Sequence, residues 1–247
     1  MRLLIDLAPG DPRRGLAIDE ALLESVRGRG EDAVRLWVSN RAVIVGRSQL
    51  VLDEVDVGFS THNRIAVLRR ISGGGAVYHY PGNLNLSIVL GDGRRLGSVG
   101  ETFRFLGRAI ASCLADVCPT ISARENNLLV GEAKVGGAAQ ARRGDAILYH
   151  TTLLVGPVDV PMDGVLLAMR PGYCPQQVAS RPRQTVSLGE ATGSEVSMER
   201  LAKILAQAVS NAVARSLTEA RLGDEEARRV GWLVEHKYGD PQWNRSL

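Results

Sequence analysis

Short apolar runs joined by brief turns follow one another through the first part of the chain, and this pattern limits the fold more than any other feature. Residues 34–38 and 42–46 flank Asn40-Arg41, and residues 128–140 and 145–155 flank a turn at 142–144. Both arrangements are typical of β-hairpins. Because successive hairpins place neighbouring strands antiparallel, we predict an α+β domain and not a doubly wound parallel sheet.

Other segments add strands and a helix to this pattern. Three more apolar runs are predicted strands, at residues 65–71, 76–80 and 85–90, with Pro81-Gly82 between the last two. Residues 101–117 are a predicted helix, because Phe103, Leu106, Ile110 and Leu114 recur at the spacing of one buried helical stripe.

Both ends of the chain are predicted to be helical. Residues 16–23 form an amphipathic pattern that places the carboxylates Asp19 and Glu20 on the solvent face. From about Ser197 one apolar side is made of Leu201, Ile204, Leu205, Ala208, Val209, Ala212 and Val213. Asp224 is predicted to cap a last helix that carries Val230, Leu233 and Val234. Residues 195–247 are therefore a predicted helical part of one domain.

Composition excludes several classes of protein. A chain of 247 residues with 45% apolar side chains forms one domain or at most two small ones. No apolar run approaches the roughly 20 residues of a membrane span, and Asp6 interrupts the hydrophobic start. Three cysteines match neither a disulfide framework nor a zinc site, so we predict a reducing cytoplasmic location and structural roles for Cys113 and Cys118. The net charge of +3 is too small to predict a nucleic-acid partner, and no membrane partner is predicted.

The strongest local signal is the segment RRISGGGAVYHYPGNLN at residues 69–85. Three glycines after a strand let backbone N–H groups approach a ligand closely. Arg69 and Arg70 beside them can neutralise a phosphate or a carboxylate, although a glycine-rich turn with solvated arginines gives the same pattern. The lysine and the spacing of a Walker loop are absent.

A second signal is Lys134, one of only three lysines in the chain. It stands inside an apolar, small-residue strand, where a buried unpaired ammonium is costly, so we expect it to meet a negative group. The alternative is an edge residue with its ammonium in water. Gly136-Gly137 after it predicts a close approach to the backbone.

These segments resemble the lipoate-protein ligase family, whose catalytic domain is shared with octanoyltransferases and, more distantly, with biotin-protein ligases. The resemblance is carried by residues 69–85, 126–140 and 148–154, and extends to residues 15–23, 36–49 and 237–243. It implies the biotin/lipoate-protein ligase catalytic-domain fold, with mixed, mostly antiparallel sheets flanked by helices. It also implies that residues 1–247 are the single large domain, with the family's C-terminal accessory domain absent and a separate small subunit as a possible partner.

The reaction that the resemblance implies has two steps. Lipoate or octanoate reacts with ATP, with Mg²⁺ expected, to give an acyl-adenylate, and the acyl group then passes to a lysine of an acyl-carrier protein. The expected carriers are lipoyl domains of the 2-oxoacid dehydrogenase E2 component and the glycine cleavage H protein. Lys134 matches the family's catalytic lysine. The matching substrate-binding and nucleotide-binding positions are Arg70, Ser72, Gly73, Gly74, Gly75, Ala76, Val77, His79, Asn83, Gly137, Ala139, His150 and Thr152.

Departures from the family pattern leave two other interpretations open. Asn127 and Tyr80 each replace a usual Asp, and Tyr149-His150-Thr151 replaces HHG. Cys174 lies in the region where octanoyltransferases keep a cysteine nucleophile, so octanoyl transfer from acyl-carrier protein through Cys174 is an alternative. A non-catalytic subunit that binds carrier domains is the other.

Overall fold

The structure, a computed structural model, describes residues 1–28 and 30–245 and contains two β-sheets. The strands are β1 (Arg2–Gly10), β2 (Ala33–Ser39), β3 (Ala42–Val45), β4 (Ala66–Arg69), β5 (Val77–His79), β6 (Asn83–Leu90), β7 (Ile121–Arg124), β8 (Asn127–Val130), β9 (Ala133–Arg143), β10 (Ala146–Leu154) and β11 (Thr218–Glu219). An eight-stranded sheet has the order β11-β1-β2-β6-β10-β9-β8-β7, and a three-stranded sheet has the order β4-β3-β5.

Helices cover both faces of the large sheet. They are α1 (Pro12–Arg27), α2 (Val51–Glu54), α3 (Val57–His62), α4 (Val99–Leu114), α5 (Met162–Val165), α6 (Leu188–Thr192), α7 (Met198–Val213), α8 (Asp224–Leu233) and α9 (Pro241–Arg245). Short 3₁₀ turns occupy Gly93–Leu96 and Leu167–Met169, and a π-helical turn occupies Val234–Tyr238. In the part of the chain that the structure describes, every helix is too short or too polar to cross a bilayer.

The predicted fold class is confirmed. Every strand pair from β2 through β6, β10, β9 and β8 to β7 is antiparallel. Parallel pairing occurs where β1 meets β2 and β11, and where β3 meets β4. Helix α1 connects β1 to β2, as a parallel pair requires a crossover connection.

Two predictions about the strands are wrong. Residues 34–38 and 42–46 do not form a hairpin, because β2 pairs with β1 and β6 in the large sheet while β3 belongs to the small one. All residues of both strands are buried, so neither shows the alternation that would identify its neighbours. Residues 128–140 are two strands, because Gly131 adopts a left-handed φ of 60° and turns the chain between β8 and β9. The second predicted hairpin, β9 with β10, is confirmed.

Helix α1 is buried on more sides than its pattern indicates. The predicted solvent face is wrong, because Asp19 and Glu20 are each only 2% exposed. Asp19 pairs with Arg35 of β2, and Glu20 accepts hydrogen bonds from Lys237 and Tyr238 near the C-terminus. Sheet residues cover one side of the helix and α8 covers another, so its carboxylates are buried with partners and not solvated.

The C-terminal region is helical as predicted, with the short strand β11 added. Helices α4 and α7 pack together on the opposite face of the large sheet from α1, and Leu106, Leu201 and Cys118 lie in this core. The predicted cap of the last helix is displaced by one residue. Gly223 is the N-cap of α8 and its N–H donates to Glu226, while Asp224 is the first helical residue.

Candidate functional site

The floor of the site is a face of the large sheet built by two rows of residues paired across four strands. One row is Arg35–Ser87–His150–Ala139, and the next is Trp37–Asn85–Thr152–Gly137. Residues two apart on a strand share a face, so these side chains project from the same side of the sheet. Leu36 and Leu86, which stand between the two rows on their strands, and Tyr149, which precedes His150, belong to the core beneath.

A cavity of about 590 Å³ lies above this floor. Its lining includes the apolar side chains of Leu16, Trp37, Ile44 and Val77. The charged residues of the lining are Arg70, Lys134, Arg181, Arg183 and Glu125. Four cations face one carboxylate, so the cavity favours an anionic ligand that also has an apolar part.

Arg70 organises the triple-glycine loop between β4 and β5. Its guanidinium donates through Nε to Ser72 Oγ at 2.9 Å and through Nη2 to the carbonyl oxygens of Gly73 at 2.6 Å and Gly75 at 2.8 Å. Gly74 has a φ of 88°, which a residue with a β-carbon rarely adopts. Burial lowers the pKa of Arg70 to about 10. The loop is therefore shaped by a buried arginine, which excludes a turn with solvated arginines.

Arg69 points elsewhere. It is 1% exposed, and its Nη1 donates to the carbonyl oxygens of Gly46, Arg47 and Gln49. The expectation that both arginines of this motif face a ligand is thus wrong for Arg69. Arg69 ends β4 and Arg70 follows it directly, and successive side chains of an extended chain point in opposite directions.

Lys134 is the second residue of β9, and the backbone of residues 184–186 pairs with it there. Its backbone N–H donates to the Gln184 carbonyl at 2.8 Å, and its carbonyl accepts from Val186 N–H at 3.0 Å. Burial, with the nearby charges of Arg70 and Arg183, lowers the pKa of Lys134 to about 8. Among the described residues no carboxylate lies within ion-pair distance of Nζ, so the negative group that Lys134 is expected to meet is not a protein carboxylate, and the expectation stays a prediction.

Two histidines also line the cavity. His79 is buried, packs edge-on against Trp37 and has its pKa lowered to about 3 by burial, with smaller effects of nearby charges, so it is neutral. Its Nδ1 and the Oδ1 of Asn85 are buried without a hydrogen-bond partner among the residues that the structure describes. His150 contacts Ser72, with 2.7 Å between Nε2 and Oγ.

The sequence reasoning missed the loop at residues 178–183, which lines the cavity. Ser180 fixes this loop: its hydroxyl donates to Glu54 Oε2 at 2.6 Å and accepts from Ala76 N–H at 2.9 Å. Gln49 donates to the same hydroxyl at 3.1 Å. A local signal was present in Arg181-Pro182-Arg183, where two cations flank a proline.

The family model of the lipoyl protein ligase A/B catalytic domain matches residues 11–210 of the chain. The chain belongs to this family.

Among curated relatives of this lipoyl protein ligase domain, lipoate-protein ligase A subunit 1 of Thermoplasma acidophilum is 29% identical, covering 100% of the chain and 97% of the relative. Octanoyltransferase LipM of Symbiobacterium thermophilum is 30% identical, covering 98% of the chain and 97% of the relative.

Solved structures agree with the family. A T. acidophilum protein with bound lipoic acid superposes with a TM-score of 0.83 at 27% identity and covers 100% of the chain and 98% of its own. A lipoate-protein ligase A bound with ATP gives a TM-score of 0.81 at 28% identity, and the match covers 100% of this chain and 98% of that one. A bi-partite lipoate protein ligase from T. acidophilum, described with its E2 lipoyl domain, gives a TM-score of 0.82 at 28% identity. The match covers 100% of this chain and 96% of that one. Biotin protein ligase from Aquifex aeolicus shares only the fold, with 0.52 at 12% identity over 87% of the chain and 69% of its own.

The lipoyl protein ligase fold brings most of the expected site residues together. Those that line the cavity are Arg70, Gly74, Gly75, Ala76, Val77, His79, Lys134, Gly137, Ala139, His150 and Thr152. Ser72 and Gly73 lie outside the cavity lining, and both accept hydrogen bonds from Arg70; Ser72 is buried and Gly73 is exposed. Asn83 is fully buried in β6 and donates to the Leu153 carbonyl at 3.1 Å, outside the lining. Cys174 is exposed and does not line the cavity.

The three departures from the lipoyl protein ligase pattern differ in position. Tyr80 is buried, and its hydroxyl donates to the Gly156 carbonyl at 2.7 Å. Tyr149 faces the core, where its ring packs against Phe103. Asn127 lines the cavity and donates to Asn126 Oδ1 at 3.2 Å. Thr151, the last residue of the segment that replaces HHG, lines the cavity as well.

Proposed function

We propose that the chain is the catalytic subunit of an ATP-dependent lipoate-protein ligase, which makes lipoyl- or octanoyl-adenylate and transfers the acyl group to a lysine of a carrier domain. The observation that carries this proposal is Lys134, a cation without a carboxylate partner among the described residues, in a cavity that also holds Arg70 and Arg183. Such a cluster is unfavourable until an anion enters it, and a phosphate or an adenylate supplies that charge.

The first step fits the charges of the cavity. A carboxylate oxygen of the acid attacks the α-phosphorus of ATP, and the bond to pyrophosphate breaks, which leaves the acyl-adenylate. Negative charge accumulates on the phosphate oxygens, where Lys134, Arg181 and Arg183 stabilise it. Gly74 and Gly75 let the ligand approach the loop, and the apolar side chains receive the acyl chain.

The second step uses the same ammonium. The amine of the carrier lysine attacks the acyl carbonyl, its proton leaves to solvent, and AMP departs as the amide forms. The Lys134 ammonium donates to the carbonyl oxygen as its charge develops, the role of an oxyanion-hole donor. His79 stays neutral at physiological pH and adds no charge repulsion.

Mg²⁺ binding would depend on the phosphates of the nucleotide. Mg²⁺ prefers carboxylate and phosphate oxygens, and the only carboxylate that lines the cavity within the described ranges is Glu125. The Asn126 side-chain oxygen already accepts from Asn127. The residues present therefore do not form a Mg²⁺ site of their own, and the phosphates of ATP would supply its ligands.

We further propose a lipoyl domain or the glycine cleavage H protein as acceptor, and a separate small subunit as partner. The support is that one relative is a subunit 1 and one solved structure is a bi-partite ligase with its E2 lipoyl domain. Both align with nearly the whole chain, which supports this proposal.

A second candidate is octanoyl transfer without ATP, which the similarity to octanoyltransferase LipM favours. The position of Cys174 counts against it, since the residue is exposed and outside the cavity lining. Retention of Lys134, Arg70 and Arg183 in one cavity likewise argues against a non-catalytic binding subunit.

The deciding experiment is ATP–pyrophosphate exchange with lipoate and with octanoate, with and without a bacterial or archaeal accessory subunit. We expect acid-dependent exchange, followed by acylation of a lipoyl domain by mass spectrometry. Transfer from octanoyl-carrier protein without ATP would establish the second candidate. Absence of exchange in every combination would refute the adenylate mechanism.

A further inference from the structure

We propose that Asp19 is a positioning residue of this site, which acts through His150 and Ser72 to hold Arg70 and the triple-glycine loop. This inference rests on the proposed function only for its kinetic readout. Asp19 belongs to helix α1 and does not line the cavity.

Asp19 contacts three of the four residues in one row of the sheet floor. Its Oδ1 accepts from Arg35 Nη1 at 2.9 Å, and its Oδ2 accepts from Ser87 Oγ at 2.7 Å. Oδ2 also lies 3.6 Å from His150 Nδ1, longer than a normal hydrogen bond but within ion-pair distance. One carboxylate thus contacts three neighbouring strands at a single level of the sheet.

Ser72 and Arg70 connect His150 to the triple-glycine loop by hydrogen bonds. Arg70 Nε–H can only donate, so Ser72 Oγ accepts from it. We assign the Ser72 hydrogen to His150 Nε2, which lies 2.7 Å from Oγ. A neutral imidazole that accepts at Nε2 carries its proton on Nδ1, which faces the Asp19 carboxylate. Every donor along the path from Arg70 through Ser72 and His150 to Asp19 then has an acceptor. In this arrangement Asp19 selects the tautomer that His150 adopts.

This series of contacts ends at the triple-glycine loop. Three further Arg70 N–H groups donate to the carbonyl oxygens of Ile44, Gly73 and Gly75, at 3.0, 2.6 and 2.8 Å. If Ser72 loses His150 as its acceptor, its hydroxyl no longer has a fixed direction, and the Arg70 Nε contact weakens. The loop carbonyls that Arg70 holds then lose their fixed position.

If Asp19 had a structural role alone, its substitution would change stability but not the tautomer of His150. Asp19 also neutralises the buried Arg35, so Asp19→Asn destabilises the fold whether or not a relay exists. Glu20 provides a matched control, because it is equally buried on the same helix but binds Lys237 and Tyr238 away from the cavity.

The first test observes the tautomer without any turnover. The chain has four histidines, and the spectrum of His150→Gln assigns the signals of His150 in ¹⁵N NMR. We expect His150 to be protonated on Nδ1 only, to change its tautomer population in Asp19→Asn, and to keep it in Glu20→Gln. A proton on Nε2 in the unmodified protein, or an unchanged spectrum in Asp19→Asn, would overturn the proposal.

The second test is a double-mutant cycle on the rate of adenylate formation, at a temperature where all variants are folded. We expect Asp19→Asn and Ser72→Ala each to lower kcat/KM about tenfold, and the double variant to fall little further, because both interrupt one chain of contacts. Effects that multiply to about a hundredfold would contradict the relay. Glu20→Gln combined with Ser72→Ala should match Ser72→Ala alone.

The two tests separate the proposals. If the chain shows no exchange while the tautomer depends on Asp19, the proposed function fails and the positioning role stands. If exchange occurs and the tautomer ignores Asp19, the positioning role fails alone.

Discussion

The ammonium of Lys134 lies directly over Gly137, so close that a β-carbon at residue 137 would stand 2.6 Å from Nζ. The clashing atoms are the flexible end of the lysine, so the backbone can accept Gly137→Ala while Nζ moves. A displacement of about 1 Å in an active site can cost about 10²-fold in rate. We expect a loss of that order in adenylate formation with nearly unchanged thermal unfolding. Gly231→Ala, at a helical glycine with open space around it, should leave the rate unchanged.

Removing the charge of Lys134 should separate stability from activity. Lys134→Met eliminates a partly buried cation that Arg70 and Arg183 repel, so we expect the ligand-free protein to gain about 1–2 kcal/mol in free energy of unfolding. Adenylate formation should fall by about 10²-fold or more, as for other lost oxyanion donors. Denaturant unfolding and pyrophosphate exchange measure the two effects. A destabilised Lys134→Met protein would show that the ammonium has a stabilising partner.

The affinity for an anionic ligand should depend on the ionisation of Lys134. Its pKa is about 8 in the folded protein against 10.5 as the ordinary value, so its positive charge disappears as the pH rises through about 8. Binding of a non-hydrolysable ATP analogue should weaken above that pH, and Lys134→Met should not show this dependence. The folded state binds fewer protons than the unfolded state between these values, so the stability difference between Lys134→Met and the parent protein should shrink from pH 8 to pH 10. Calorimetry and unfolding at several pH values test both expectations.

Ser180 should control closure of the loop at 178–183. Ser180→Ala removes the hydroxyl that joins Glu54, Gln49 and the Ala76 N–H, at about 0.5–1.5 kcal/mol per hydrogen bond. We expect faster tryptic cleavage after Arg183 and a raised KM for ATP. The exposed Ser194→Ala serves as control and should change neither. Equal cleavage rates in the two variants would show that the loop is held by other contacts.

Cys174 should be dispensable for ligation. It is exposed and outside the cavity, so Cys174→Ser should retain exchange activity within about twofold, as surface substitutions usually do. Intact-protein mass spectrometry after incubation with octanoyl-carrier protein should show no thioester. An acyl adduct on Cys174, lost in the serine variant, would instead support the octanoyltransferase candidate.

Local pattern was sufficient for the long helices, for one hairpin and for locating the two main motifs. The helices around Leu106 and Leu201 and the hairpin of β9 with β10 are confirmed, because periodicity and turn residues are local properties. The roles of Lys134 and of the glycine loop remain predictions, but the fold brings both to one cavity.

The sequence by itself determined the long helices and several of the strands, but not β1 or the turn at Gly131, and it determined which residues are chemically suited to bind an anion. Tertiary structure decided that β2 and β3 join different sheets, that Asp19 is buried, and that Arg183 comes from far along the chain to face Lys134. The physical reason is that periodicity records how side chains alternate around one element. The partner that covers each face is chosen by packing between distant segments, and the cavity exists only where those segments meet.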